Sequence, residues 1–396
     1  MSTVDEFEST AENPLLVAEI RAHLEREGRM TFRDFMEVVL YHPLHGYYRS
    51  PREKMGRAGD YLTSPEVHPL FGHMVGRQLA EMWEVMGSPA HFDLLEMGAG
   101  NGLLARDILR WAQRLRPAFL EALTYRIAET SPPLVERQRH TLDALGLPDG
   151  KVTWEPGEAP VAGSVSGCIL SNELVDSFPV HRVTVEGGEL REVYVVWKEG
   201  GFQEELGPPS TPELGAYFDR LGLLPGEGCR AEVNLAALVW MRQVAGALAR
   251  GFVLTFDYGH EARDLYAPWR RDGTLLCFYR HNPSSDPFAR VGKQDMTAHV
   301  DFTSLVEEGR RHGLEPLGIT TQSRFLAALG IGEALARPDA ELFLEEYYAR
   351  RRAVSELLDP AGLGRIHVLV QAKGVERCTL RGLTEAPVPG PPLENG

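Results

Sequence analysis

The chain has 396 residues, 43% hydrophobic and 24% charged, an ordinary balance for a soluble globular protein that buries one large core or two moderate ones. Its formal net charge of −15, from 41 basic and 56 acidic residues, argues against wholesale binding to nucleic-acid phosphates and favours cationic partners.

The opening residues, MSTVDEFESTAENP, are acidic and polar, unlike a signal peptide or an arginine-rich transit peptide, and they predict a cytoplasmic protein. Residues 14–48 read as helical, with Leu15, Leu16, Ile20 and Leu24 at 3–4 spacing, then Phe32, Phe35, Met36, Val39 and Leu40. Residues 59–66 form a loop opening a helix that runs to about Met86. Ser64 can cap that helix, Pro65 fits its first position and Glu66 favours its positive end. From Phe92 onward strands near 92–97, 124–129, 151–154, 166–171 and 252–257 alternate with helices near 102–115, 133–145 and 233–249. Such alternation predicts an α/β fold, a parallel sheet with helices on both faces. Alternating stretches around Gly187 and Gly188, and around Gly200 and Gly201, read as hairpins. Residues 260–360 carry a loop with Pro and His and several helices, one near 341–357. The strand at 366–372 is expected to rejoin the sheet, and the proline-rich tail from about 379 to be disordered. Arg242 and Arg250 interrupt the best apolar run, so no membrane span is expected. Cys168, Cys229, Cys277 and Cys378 are scattered, with no CxxC pair and no histidine at metal spacing, so neither disulfides nor a bound metal are expected.

The residues at 93–102, DLLEMGAGNG, carry the most chemistry: a strand ending in Glu96, then Gly98, Gly100 and Gly102 before a helix. Glycines permit the torsions and the close approach that a ligand lying across such a turn requires. The spacing is neither G-x-G-x-x-G nor a phosphate loop, and Glu96 would repel a pyrophosphate, which disfavours a dehydrogenase. An acid beside a glycine turn suits a ligand bearing an ammonium group, as S-adenosylmethionine (SAM) does. The second strand ends in Glu129, whose two oxygens match a vicinal ribose diol. Trp154 and Glu155 follow at the place where an adenine would lie. The fourth strand ends at Asn172, a candidate cofactor-binding residue, and Glu173 and Asp176 follow on the sheet edge where a methyl acceptor would be positioned and a guanidinium held by paired hydrogen bonds. Asp257 ends the fifth strand. His281 and His299 follow in loops, where each is a base or an ordering group.

The segments YHPLHGYY, GDYLTSPEVHPLFG, LLEMGAGNG, SNELVDSFPVHR, FDYG and GTLLCFYRH with QDMTAHVDF together resemble the MidA-type SAM-dependent methyltransferases, over roughly residues 14–372. That family includes the mitochondrial arginine methyltransferase of complex I assembly. The resemblance implies a Rossmann-like seven-stranded sheet, SAM as donor and, by analogy with the mitochondrial member, a protein arginine as acceptor. It places Gly59, Asp60, Thr63 and Ser64 near the cofactor cleft, and Glu173 like the first substrate-binding glutamate of arginine methyltransferases. Their second glutamate, nine residues on, is absent: position 182 is Arg. The resulting expectation is a helical region with a cofactor-side loop at 1–88, a SAM-binding core at 89–180 and 231–260, a hairpin insertion at 181–230, a cap at 261–364, a returning strand at 365–378 and a tail at 379–396. Glu173, Asp176, Asp257 and His281 are the catalytic candidates. A small-molecule O- or N-methyltransferase and a non-catalytic SAM-binding assembly factor are the alternatives, and homodimerisation is open.

Overall fold

The computed structural model describes residues 12–50, 54, 56, 59–157, 160–335 and 344–384. They divide into two compact units, each assembled from separate stretches of chain.

One unit comprises Thr63–Asn172, Val244–Phe256 and the chain from Gly313 onward. Its sheet contains β1 (Phe92–Met97), β2 (Leu123–Glu129), β3 (Val152–Pro156), β4 (Val165–Asn172), β5 (Leu248–Asp257), β6 (Glu315–Thr321) and β7 (His367–Lys373). The order is β3-β2-β1-β4-β5-β7-β6. The first five strands pair in parallel, and β6 runs antiparallel to β7. The expected returning strand is thus β7, beside β5. The chain leaves β1 in one direction and resumes on its other side at β4, so the carboxyl ends of these two strands form a switch point, where open α/β sheets bind ligands. Burial explains the strand sequences: in β1 every residue but Asp93 is buried, as in a strand covered on both faces. The helix Leu103–Leu115 shows the complementary pattern, burying Leu104, Ala105, Ile108, Leu109 and Ala112 along one stripe.

The helix expected from Ser64 to Met86 is two helices, Ser64–Val67 and Leu70–Val85. Pro69 disfavours the helical conformation at His68, which is extended, and the His68 ring accepts the Leu70 N–H (3.1 Å) to restart the helix. Thr63, not Ser64, stands at the first cap; Ser64 is inside the helix and its hydroxyl donates to Gln322 (2.9 Å). The tail is also corrected in part. Leu380 is fully buried and the Gly382 N–H donates to Gln78 (2.9 Å), while 385–396 lie outside the described residues.

The other unit comprises the chain up to Leu62, Glu173–Gln243 and Asp257–His312. The region expected to be helical is two helices, Pro14–Glu27 capped by Asn13 and Phe32–Tyr41 capped by Thr31. They separate at Gly28, whose φ of 83° a helix cannot continue. Phe32, Phe35, Met36, Val39 and Leu40 pack with Tyr47, Val195, Cys277 and Met296 in one apolar core. An antiparallel sheet includes His181–Glu186, Glu189–Lys198 and Gly201–Gly207, joined by the expected hairpins. A smaller sheet pairs Leu276–Tyr279 with both Asn282–Ser284 and Asp295–Thr297.

Candidate active site

In the sheet unit the glycine turn follows β1 directly. Gly98, Gly100 and Gly102 have φ of 77°, 52° and 76°, left-handed values that side-chain-bearing residues rarely adopt. Glu96 is 2% exposed and accepts the Tyr125 hydroxyl at 2.7 Å. Burial pushes its carboxyl up to about 7, and the Tyr125 bond moderates the rise. Glu129, at the end of β2, accepts the Ser131 N–H (2.8 Å) through one oxygen and the Gln138 amide (3.2 Å) through the other. Gln138 also donates to the Gly100 carbonyl (2.9 Å) and accepts the Trp154 indole N–H (3.0 Å). This buried amide thereby ties together the glycine turn, the end of β2 and the β3 tryptophan. Asn101 is gripped by Glu66, Arg137 and Thr141, so the helix opened by Thr63 is anchored to the turn. Glu155, expected near the adenine, accepts from Arg126 at 2.5 Å through one oxygen.

In the other unit, acids collect around tyrosines. Glu173 follows Asn172, the last residue of β4, and has φ of +51°, an uncommon conformation for a residue with a long side chain. Asp257, fully buried at the end of β5, accepts the Val175 N–H and the Tyr258 N–H, each at 2.8 Å. Burial pushes Asp257 up to about 7; these N–H groups oppose the rise and the Glu173 charge adds to it. Asp176 is buried and held well above the usual carboxylate range by that burial and by Asp257 and Asp295. Asp295 accepts the Tyr48 hydroxyl at 2.8 Å, and burial pushes it up to about 6. The Ala298 N–H donates to the Asp176 carbonyl (2.9 Å), fixing the strand of Asp295 against the turn of Asp176. Tyr41 bonds to the Ser177 carbonyl (3.0 Å), its ring 5.2 Å from that of Tyr48. Burial raises Tyr41, Tyr48 and Tyr61, with the Asp295 charge adding to each.

Asp60 is wholly buried, with one oxygen on the Tyr47 hydroxyl (2.8 Å) and the other on the Arg280 N–H (2.7 Å). Its carboxylate thus ties the loop before Thr63 to the hairpin of Arg280. His281 lies exposed at a hairpin tip, and the His299 ring packs 5.1 Å from that of His260. Arg182 is buried and pairs with Glu204 (2.5 Å) and Glu232 (3.4 Å), so this position supplies structural cation rather than substrate-binding acid. Gln138 and Asp295 escape a reading of the sequence because their contacts reach across long stretches of chain. Among the described residues no group of three or more His, Cys, Asp or Glu could hold a metal.

A switch-point glycine turn, a buried acid beneath it and a second acid closing β2 fit a nucleoside ligand with a cationic tail, and with the strand order they define a class of Rossmann-like methyltransferases. The family profile of S-adenosyl-L-methionine-dependent methyltransferases matches residues 74–320. The mitochondrial protein arginine methyltransferase NDUFAF7 homolog of Drosophila melanogaster is 30% identical over 91% of this chain and 85% of its own. Human mitochondrial NDUFAF7, also named a protein arginine methyltransferase, is 27% identical over 81% and 75%. A candidate methyl transferase from Burkholderia thailandensis, crystallised with S-adenosyl-homocysteine, superposes with a TM-score of 0.85 at 32% identity, covering 94% of this chain and 95% of that one. The chain belongs to this family of SAM-dependent methyltransferases, with SAM as its methyl donor. The comparisons correct the cytoplasmic expectation, because these curated relatives are mitochondrial proteins. No described helix is long and apolar enough to cross a membrane.

Proposed function

We propose that the methyl acceptor is a cationic protein side chain, an arginine nitrogen, held by the acids that follow β4 and β5. The observation carrying this reading is the set of buried carboxylates, Asp176, Asp257 and Asp295, among Tyr41, Tyr48 and Tyr61, a surrounding complementary to a planar cation. The relatives' names as arginine methyltransferases support it. Glu173 and Asp176 orient the guanidinium, and Asp295 supplies the second acid that position 182 lacks. Asp257 acts by position, since both its oxygens hold backbone N–H groups, one of them within the Glu173 to Asp176 turn. In the sheet unit, Glu96 sets the charge facing the donor's ammonium, Glu129 takes its ribose, and Gly98, Gly100 and Gly102 admit it. Bound SAM supplies an electrophilic methyl group. The acceptor nitrogen forms its bond to that carbon as the carbon–sulfur bond breaks, sulfur keeps the electron pair, and a proton leaves the nitrogen. Asp176, a carboxylate when it faces the bound cation, receives that proton, and its burial makes it a stronger base than an exposed carboxylate.

The test is incubation of the protein with methyl-tritiated SAM and an extract from cells lacking its gene, followed by hydrolysis of the labelled protein. Labelled methylarginine is expected. Label confined to small molecules would contradict the proposal, as would no enzyme-dependent label.

A further inference from the structure

Three hairpins of the second unit turn on two-residue loops, and they differ in one respect. Between Glu186 and Glu189 the loop is Gly187 and Gly188, with φ of 61° and 80°. Between Lys198 and Gly201 it is Glu199 and Gly200, with φ of 54° and 83°. Between Tyr279 and Asn282 it is Arg280 and His281, with φ of 49° and 61°. All three tips are left-handed at both positions, the geometry matching strand twist, for which Asn-Gly or Gly-Gly is ordinarily used. The third tip alone lacks glycine, and strain attends each side-chain-bearing residue held there.

Asp60 opposes that strain. Its carboxylate accepts the Arg280 N–H at 2.7 Å and its carbonyl accepts the His281 N–H at 3.0 Å. The Tyr47 hydroxyl fixes the other carboxylate oxygen, and the Asp60 N–H donates to the Lys54 carbonyl (2.7 Å). The clamp is entirely buried while both tip residues are exposed. The Gly187–Gly188 tip is held by the exposed Glu227, whose carboxylate accepts both N–H groups (2.6 and 3.1 Å), and the second tip carries one side-chain-bearing residue, Glu199; of the three, only the third combines two such residues with a wholly buried acid, more than chain reversal requires. The Arg280 guanidinium lies 5.4 Å from the centre of the Tyr279 ring and that of Arg290 4.9 Å, so the tip displays a cationic surface on a chain of net charge −15.

We infer that Asp60 is a positioning residue for methyl transfer, holding Arg280 and His281 in the left-handed tip from which they contact the acceptor protein beside, and not at, the cationic side chain that is methylated. This rests on the proposal that the second unit receives the acceptor. Three variants test it: Asp60→Asn, the tip Arg280→Asn with His281→Gly, and their combination. Each is assayed with methyl-tritiated SAM and the gene-deleted extract, by calorimetry with S-adenosyl-homocysteine, and by thermal melting. The Asn-Gly tip suits the turn better than the native residues, so this variant should melt at or above the wild-type temperature. Transfer by it should nevertheless fall at least tenfold, with S-adenosyl-homocysteine affinity within twofold of wild type. Asp60→Asn should lose transfer similarly, and the combination should lose no more than the worse single variant, because both act through one tip. Wild-type transfer from the Asn-Gly variant would overturn the inference, as would fully additive losses. If Asp60→Asn does not fold, the tip variant decides alone. Wild-type protein that labels nothing would overturn the acceptor proposal and this inference together; labelled wild type with unaffected variants would overturn this inference only.

Discussion

Gln138 holds three parts of the proposed donor site through one amide, bonding Gly100, Glu129 and Trp154. Gln138→Ala leaves the Gly100 carbonyl and the indole N–H without those partners, a loss of about 1–3 kcal/mol for buried groups. SAM affinity should fall by roughly tenfold or more, although Gln138 need not touch the ligand; calorimetry showing unchanged affinity in folded protein would refute this. Single residues also mark where sequence reasoning stops. Glu96 and the three glycines were legible because their signal is local, an acid and alternate glycines between a strand and a helix. Gln138 was not, because it lies on a helix 38 residues beyond Gly100 and nothing in its neighbours marks the amide. Trp154 stands where the adenine is expected; its N–H is engaged by Gln138 and the Arg139 guanidinium lies 5.2 Å from its ring centre. Asp295 lies in QDMTAHVDF, a segment that carries the family resemblance but gives this aspartate no role of its own.

The turn between β1 and the helix Leu103–Leu115 shows how closely an element can depend on missing side chains. Gly102 begins that helix at φ +76°, and an added Cβ would stand 3.3 Å from Gln138. Gly102→Ala combines a left-handed alanine, about 1–2 kcal/mol, with pressure on the amide that orders the turn. A melting temperature several degrees lower is expected, together with weakened SAM binding; normal values for both would show that the turn tolerates a side chain. Parallel strands were readable at the same scale because their buried runs are continuous, and the two glycine hairpins because their tips are. Pro69 was visible but read through, since the apolar spacing of Phe71, Val75, Leu79 and Met82 continues without interruption on its far side. The contacts that keep Leu380 and Gly382 ordered were invisible, because they come from Gln78, some 300 residues earlier.

Across the whole molecule the buried acids give stability an unusual pH dependence. Glu96 is raised from 4.5 to about 7, Asp257 from 3.8 to about 7 and Asp295 from 3.8 to about 6, burial being the largest cause in each. Between the unfolded and folded values the native protein binds more protons than the unfolded chain, so the contribution of these groups is complete below about pH 4 and is lost as pH rises through about 6 to 7. Melting temperature without ligand should therefore decline between about pH 5.5 and 7.5, and Asp295→Asn should flatten part of that decline. A rising wild-type curve across this interval would contradict the burial of these groups. Composition was a poor guide to location at this scale: a polar, acidic N-terminus predicted the cytoplasm, and the curated relatives are mitochondrial. The most direct test of donor binding by the glycine-turn unit and acceptor handling by Glu173 is a paired measurement on Glu173→Gln, with SAM titrated by calorimetry and methyl transfer followed from tritiated SAM. The substitution keeps size and removes charge, so SAM affinity should stay within about twofold while transfer falls by a factor of about 10² or more. Undiminished transfer, or loss of SAM binding itself, would contradict the account.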